Sequence, residues 1–277
     1  MKIKLAKSYG FCFGVKRAIK IAENAAGAST IGPLIHNNEE ILRLKNNFNV
    51  TTLESIDEAF DVKRAIIRTH GIQKEDLEAL KKRDIEIIDA TCPFVTKPQK
   101  ICEEMSQMGY TIIIFGDKNH PEVKGVKSYS MHDNVHVVLN TKDLEQINLG
   151  AKVALVSQTT RNADEFLQIV NFLVGACKEV RVFNTICNAT FENQAAAREL
   201  AINADIVIVI GGKNSSNTKQ LYGIVKEYCK DSFLVENEKE LNFSWFAGKK
   251  ICGITAGAST PDWIIEKIIE KIREIKV

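Results

Sequence analysis

Short runs rich in β-branched residues recur along the chain, and amphipathic stretches separate them. Ile3–Ala6, Ala65–Arg68, Ile85–Ile88, Thr111–Phe115, Val135–Leu139, Lys152–Val156, Ile206–Ile210 and Lys250–Ile254 have the length and composition of strands. Val15–Ala26, Lys74–Lys82, Val95–Met108, Ala163–Val174, Glu192–Ala201, Thr218–Tyr228 and Asp262–Ile275 carry helical periodicity. In the last of these, Ile264, Ile265, Ile268, Ile272 and Ile275 fall on one stripe. A strand such as Ile206–Ile210, apolar at every position, must be covered on both faces. Alternation of such strands with helices therefore specifies an α/β fold with mostly parallel sheets.

A looser regularity overlies this alternation. Three times a strand-like run leads to a cysteine at the opening of a helix: Lys4 to Cys12, Ile87 to Cys92 and Val182 to Cys187. A second motif follows each cysteine, at 24 residues (His36), 28 residues (His120) and 27 residues (Asn214). A third follows at 58 (Thr69-His70), 67 (Thr159-Thr160) and 72 residues (Ala258-Ser259) from the cysteine. The 277 residues thus divide into three similar small α/β lobes, 1–91, 92–184 and 185–277, each with one cysteine and two polar strand tips. In open α/β sheets ligands bind beyond the carboxyl ends of the strands. Three such lobes around an axis gather the three cysteines there.

Charge and composition exclude several classes of function. Lys and Arg number 37 against 35 Asp and Glu, a balance without the clustered basic face of a nucleic-acid binder. No apolar run approaches the ~20 residues of a membrane span. The segment Met1 to Lys7 lacks the apolar core of a secretion signal, so a cytoplasmic protein without membrane or nucleic-acid partners is expected. Seven cysteines without a CxxC pair point to thiols or metal ligands more than to disulfides.

For any one cysteine the plain reading is a small buried hydrophobe. That suits Cys102, Cys177, Cys229 and Cys252, which lie on a helix stripe, at element ends or in an apolar strand. Cys12, Cys92 and Cys187 lie beside small or polar residues where a helix begins, and a helix N-terminus favours the thiolate. A structural zinc site wants four closed ligands. Three distant thiolates fit an iron–sulfur cluster with one iron left open.

His36, His70 and His120 occupy polar turns after strands, where each alone reads as a solvated or capping residue. At equivalent places in the lobe plan, two in the first lobe and one in the second, their ring N–H groups make donors for phosphate oxygens. Gly211-Gly212-Lys213-Asn214-Ser215-Ser216-Asn217 follows a strand and opens a helix, which describes an anion site or merely an N-cap. Ala258-Ser259 before the last helix has the same two readings, and Glu122 is a proton donor or a first-turn acid.

Taken in order, Gly10-Phe11-Cys12-Phe13-Gly14-Val15, Thr69-His70-Gly71, Asp89-Ala90-Thr91-Cys92-Pro93, His120-Pro121-Glu122, Ser157-Gln158-Thr159-Thr160, Ile186-Cys187-Asn188-Ala189-Thr190, Lys213-Asn214-Ser215-Ser216-Asn217 and Thr255-Ala256-Gly257-Ala258-Ser259 resemble the 4-hydroxy-3-methylbut-2-enyl diphosphate reductase (IspH/LytB) family. This family performs the last step of the methylerythritol phosphate route to isoprenoids. The resemblance implies a cloverleaf of three α/β lobes around one [4Fe-4S] cluster per chain, held by Cys12, Cys92 and Cys187, with one iron not ligated by cysteine. It implies an allylic diphosphate substrate gripped by His36, His70, His120, Ser215, Ser216, Asn217 and Ser259, with Thr190 lining the pocket. Glu122 is then the proton source, assisted by Thr159, and His120 stands at the reacting centre. The implied reaction is reductive removal of the allylic hydroxyl, giving isopentenyl and dimethylallyl diphosphate. No G-x-G-x-x-G motif is present, so electrons are expected from an external donor of ferredoxin or flavodoxin type. Phe13, and Phe191-Glu192 after Cys187, depart from the family pattern without touching these residues. An iron–sulfur hydro-lyase, with no net redox change, and a nucleic-acid-binding iron–sulfur sensor are the rival readings.

Overall fold

The computed structural model describes residues 1–275. Three parallel sheets of four strands each form the α/β lobes expected from the sequence. The first contains β2 (Ser29–Ile31), β3 (Thr51–Leu53), β4 (Arg64–Ile67) and β5 (Glu86–Asp89), in the order β3-β2-β4-β5. The second contains β6 (Thr111–Phe115), β7 (Val135–Val138), β8 (Lys152–Ser157) and β9 (Glu179–Val182), in the order β7-β6-β8-β9. The third contains β10 (Ile206–Ile210), β11 (Ser232–Val235) and β12 (Ile251–Ala256), and takes its fourth strand from the start of the chain, β1 (Lys2–Leu5), in the order β1-β12-β10-β11.

The three orders are one topology. Each sheet begins at an inner strand, steps out to one edge, returns across the starting strand and ends at the opposite edge. In the third sheet the closing edge is β1, paired in parallel with β12 from Lys2↔Ile251 to Leu5↔Ile254. The partition of the sequence groups β1 with residues 1–91, whereas its hydrogen-bonded neighbour is the strand at Ile251–Ala256. The chain divides into two compact units. One contains Met1–Lys16, Ile35–Arg43 and the residues from Asn188 on, and carries the third sheet. The other contains Arg17–Leu34 and Leu44–Cys187, and carries the first two.

Strand β10 explains its own sequence. Ile206, Ile208 and Ile210 face the stripe Ile264, Ile265, Ile268 and Ile272 of the last helix, Asp262–Arg273. Val207 and Val209 face Ala197 and Leu200 of helix Asn188–Ile202 and Leu221 and Val225 of helix Ser216–Tyr228. Both faces of the sheet are covered, so no position in this strand can be polar. The second sheet repeats the device, with Cys102 and Met105 of helix Pro93–Gln107 packed on Ile112, Ile114, Ala154 and Val156. Strands β2, β3 and β11 escape the sequence reading because they are short or partly polar, and β9 ends at Val182, the residue where the sequence reading starts its third strand-like run. In β2 and β3 the Ser29 and Thr51 hydroxyls lie 2.8 Å apart across the strands, and Thr30 Oγ1 donates to Thr52 Oγ1 at 3.3 Å. No helix among the described residues is long and apolar enough to cross a membrane.

Candidate active site

Cys12, Cys92 and Cys187 each immediately precede a helix: α1 (Phe13–Asn24), α4 (Pro93–Gln107) and α8 (Asn188–Ile202). Each backbone N–H donates to a carbonyl two residues beyond the end of the neighbouring strand. The pairs are Cys12 N to Ala258 O at 3.2 Å, Cys92 N to Thr69 O at 3.0 Å and Cys187 N to Thr159 O at 3.0 Å. The three cysteines are therefore equivalent by hydrogen bonding as well as by spacing. The partners differ from those that sequence spacing suggests. Each cysteine is fastened to the third motif of the preceding repeat, because β1, β5 and β9 pair with β12, β4 and β8. All three are half-buried. Cys102, Cys229 and Cys252 are buried, and burial pushes the Cys102 and Cys252 thiols up to about 12. Burial also raises the thiol of half-buried Cys177.

The unit that holds Cys92 and Cys187 also holds His70, His120, Glu122 and Thr159. His120 is the N-cap of α5 (Pro121–Ser128), and its Nδ1 accepts the Glu122 N–H at 3.2 Å. In the neutral ring the proton then sits on Nε2, which makes that nitrogen the donor. The His70 and His120 rings meet edge to face, 5.2 Å between centroids. Glu122 is 1% exposed, and its carboxylate accepts the Thr159 N–H at 2.6 Å and the Thr159 hydroxyl at 2.9 Å. Burial pushes its pKa from 4.5 up to about 7, against the pull of those two donors. Because the Thr159 carbonyl accepts the Cys187 N–H, one residue joins the acid to a cysteine.

Gln158, present in a quoted motif but given no role by the sequence, aligns this cluster. Its Oε1 accepts the Asp117 N–H at 3.0 Å, and its Nε2 donates to Thr160 Oγ1 at 3.2 Å. The Asp117 carbonyl in turn accepts the His120 N–H at 3.0 Å. Gly116 faces the Gln158 side chain, where a Cβ would come within 2.9 Å of it.

The other unit holds Cys12, His36, Thr190, Ser215, Ser216, Asn217 and Ser259. After β10 the chain turns at Gly211 and Gly212. A Cβ on Gly212 would collide with the His36 carbonyl, so only glycine lets these two turns approach. Ser215 is the N-cap of α9 (Ser216–Tyr228), its Oγ accepting the Thr218 N–H at 3.3 Å. Asn217, in the first turn, is 3% exposed, and neither its amide oxygen nor its amide nitrogen has a hydrogen-bond partner. A buried amide left unsatisfied costs about 1–3 kcal/mol, and its place at a helix N-terminus suits a bound anion. Ser259 lies just beyond β12, and Thr190 is buried in the first turn of α8.

Known proteins share this sequence and fold. The LytB protein family model matches residues 3–273. A 4-hydroxy-3-methylbut-2-enyl diphosphate reductase of Campylobacter concisus is 68% identical over 275 residues, covering 99% of this chain and 100% of that protein. Its counterpart in Campylobacter jejuni is 64% identical over 277 residues, all of both chains. Among solved structures, an (E)-4-hydroxy-3-methyl-but-2-enyl diphosphate reductase described as the terminal enzyme of the non-mevalonate pathway is 42% identical. It covers 99% of both chains with a TM-score of 0.72. The E-1-hydroxy-2-methyl-but-2-enyl-4-diphosphate reductase of Plasmodium falciparum is 28% identical with a TM-score of 0.91, covering 97% of this chain and 87% of that one.

Proposed function

We propose that this chain, which belongs to the LytB protein family, reductively removes the allylic hydroxyl of (E)-4-hydroxy-3-methylbut-2-enyl diphosphate, yielding isopentenyl and dimethylallyl diphosphate as the last step of the non-mevalonate pathway. The balance is two electrons and two protons in, and one water out. The observation that carries the reading is the Glu122–Thr159–Cys187 connection: a buried carboxyl with a pKa of about 7, joined through one residue to a cysteine at a helix start.

Family membership implies a metal cofactor. The donor chemistry fits a cluster: three half-buried thiols at helix N-termini stand apart from Cys102 and Cys252, which burial keeps protonated. Cys12, Cys92 and Cys187 would hold one [4Fe-4S] cluster, leaving one iron without a cysteine. When bound, such a cluster supplies electrons one at a time and a Lewis-acidic iron for the departing hydroxyl.

The chain's own residues supply the remainder. Glu122, protonated below about pH 7, gives its proton toward the leaving oxygen, and the Thr159 hydroxyl relays it. His120 Nε2, His70 and His36 donate to diphosphate oxygens. Ser215, Ser216, Asn217 and Ser259 complete that grip at the start of α9 and beyond β12, with the Asn217 amide gaining the partners it lacks. Thr190 lines the pocket. Electrons come from a small external donor of ferredoxin or flavodoxin type in the cytoplasm.

Anaerobic purification with iron and sulfide analysis tests the cofactor. Turnover of the allylic diphosphate with reduced viologen tests the reaction, and two electrons consumed per diphosphate product is the expected stoichiometry. Water loss without electron consumption would overturn the assignment in favour of a hydro-lyase.

A further inference from the structure

Glu40 lies in the first turn of α2 (Asn38–Phe48), four residues after His36, and is 1% exposed. The sequence gives no reason to single it out. Its carboxylate is nonetheless clamped from two elements. Arg43 donates from Nε to Oε2 at 3.0 Å and from Nη2 to Oε1 at 2.7 Å, a two-pronged grip. The indole Nε1 of Trp263, in the first turn of the last helix, donates to Oε2 at 3.0 Å. The Glu40 backbone N–H donates to Asn37 Oδ1 at 3.0 Å, which closes the turn that carries His36. Glu39 beside it accepts from Asn237 Nδ2 at 3.2 Å.

Stability alone is a poor account of this arrangement. A buried ion pair is commonly no better for stability than apolar residues of the same size. A bidentate guanidinium with a third donor instead fixes direction and register. The group held in register is the His36 turn, whose carbonyl oxygen stands where a Cβ of Gly212 would be. Gly212 opens the loop that ends in Ser215 and Asn217. The separation between His36 and the orphaned Asn217 amide is thus set from both sides, by the Gly212 contact and by the Glu40 clamp.

We infer that Glu40 is a positioning residue for the diphosphate site, acting with Arg43 and Trp263 to set the His36 turn against the loop from Gly211 to Asn217. The inference rests on reading that loop as the diphosphate grip. It gives a residue outside every motif of the chain a part in substrate affinity, and it ties that affinity to the packing of the C-terminal helix.

The test compares the cluster-loaded wild type with Glu40→Gln, Trp263→Phe and the double variant, all prepared anaerobically. Inorganic diphosphate is the calorimetric probe, and KM and kcat are measured with the allylic diphosphate. Glu40→Gln should raise both the Kd for inorganic diphosphate and KM by about tenfold, the factor of one weak hydrogen bond to a charged group. Its kcat should stay within about twofold, since lost uniform binding appears in KM. Trp263→Phe keeps the ring packing and removes one of the three bonds, so its effect should be smaller. The double variant should match Glu40→Gln, because both act through one carboxylate. Lowered melting temperatures with unchanged Kd and KM overturn the inference. If Glu40→Gln does not fold, Trp263→Phe decides alone, and an unchanged Kd overturns the inference in the same way. A wild type that fails to bind inorganic diphosphate refutes the anion-site reading and this inference with it, whereas normal binding by all variants refutes the inference alone.

Discussion

Replacing Glu122 by glutamine should make the protein more stable at high pH and nearly inactive. Glutamine mimics the neutral acid. Its amide oxygen can accept the Thr159 N–H that Glu122 accepts at 2.6 Å, and the Thr159 hydroxyl can turn to accept from the new amide nitrogen. Burial raises the wild-type carboxyl from 4.5 to about 7. Between those values the folded protein holds a proton that the unfolded chain has lost, so the contribution of Glu122 to stability falls as pH rises through that window. The gap is about 2.5 pH units, and at ~1.36 kcal/mol per unit the charged form costs about 3 kcal/mol by pH 8. Glutamine escapes that cost. Wild type and variant should melt together near pH 5 and separate by about 6–12 °C near pH 8, with the variant higher. Over the same range wild-type turnover should fall as Glu122 loses its proton. Below about pH 7 the variant should turn over about 10²–10⁴-fold more slowly, the usual worth of general acid catalysis, with KM little changed, and its rate should lack the alkaline fall of the wild type. Anaerobic melting curves and steady-state rates from pH 5 to 9 supply both readouts. Melting curves that stay parallel across the range would falsify the raised pKa, and an unaltered kcat would remove Glu122 from proton delivery.

Further perturbations address neighbouring parts of the site. Thr159→Val removes the hydroxyl donor but keeps the N–H, so the Glu122 pKa should rise further and the alkaline limb of the rate profile should move up by about one unit while kcat falls; a profile that stays put contradicts the hydroxyl's hold on the carboxylate, and an unchanged kcat contradicts the relay. Serine at Cys12, Cys92 or Cys187 should abolish bound iron, since a hard oxygen replaces a soft thiolate, whereas alanine at Cys102 or Cys252 should lower stability with iron retained. Asn217→Ala should weaken diphosphate binding by about 1.5–3 kcal/mol without lowering the melting temperature, because the lost amide has no partner in the protein and Ser215 is the cap. In β1, Lys4→Pro should deplete iron more than Leu5→Pro, since the N–H groups of Lys2 and Ala6, in step with Lys4, point at β12 while that of Leu5 points away; equal depletion in both would argue against control of Cys12 by this strand.

What the sequence reveals and what it hides follow from the range of the interactions. The strand Ile206–Ile210 and the isoleucine stripe of the last helix are legible because each residue reports its own burial at a fixed local period. The three cysteines are legible because strand ends and helix starts leave local marks around them. The pairing of β1 is not, since its partner begins at Ile251, and parallel pairing across that distance has no turn to announce it. Helix α5 is hard to read because it spans eight residues with Gly125 inside. Glu40 and Gln158 are hidden for another reason. A buried polar side chain looks like surface in the sequence, and only its partners, Arg43 and Trp263 for one and Asp117 and Thr160 for the other, show that it is internal.

The pairing of β1 also explains how three divergent lobes can present equivalent cysteines. In each lobe a ladder runs along the edge strand and continues past its end. Lys2, Ala6, Gly10 and Cys12 donate to Lys250, Ile254, Ala256 and Ala258. Glu86, Ala90 and Cys92 donate to Lys63, Ile67 and Thr69, and Glu179, Phe183 and Cys187 donate to Ala151, Leu155 and Thr159. The cysteine N–H is the last rung each time, so its position along the strand is set by backbone register rather than by side-chain packing. These edge strands are partly exposed, and a strand with one buried face resists slippage, because a one-residue shift would turn its inward side chains outward. The residue after each accepting carbonyl is His70, Thr160 or Ser259, so the same rung that sets a cysteine sets a polar side chain of the strand tip beside it. For the third lobe this coupling needs the first and last strands of the chain in one sheet, which only the completed fold supplies. A cysteine placed this way tolerates wide sequence change in the body of each lobe, provided that the apolar alternation keeping its edge strand in register is retained.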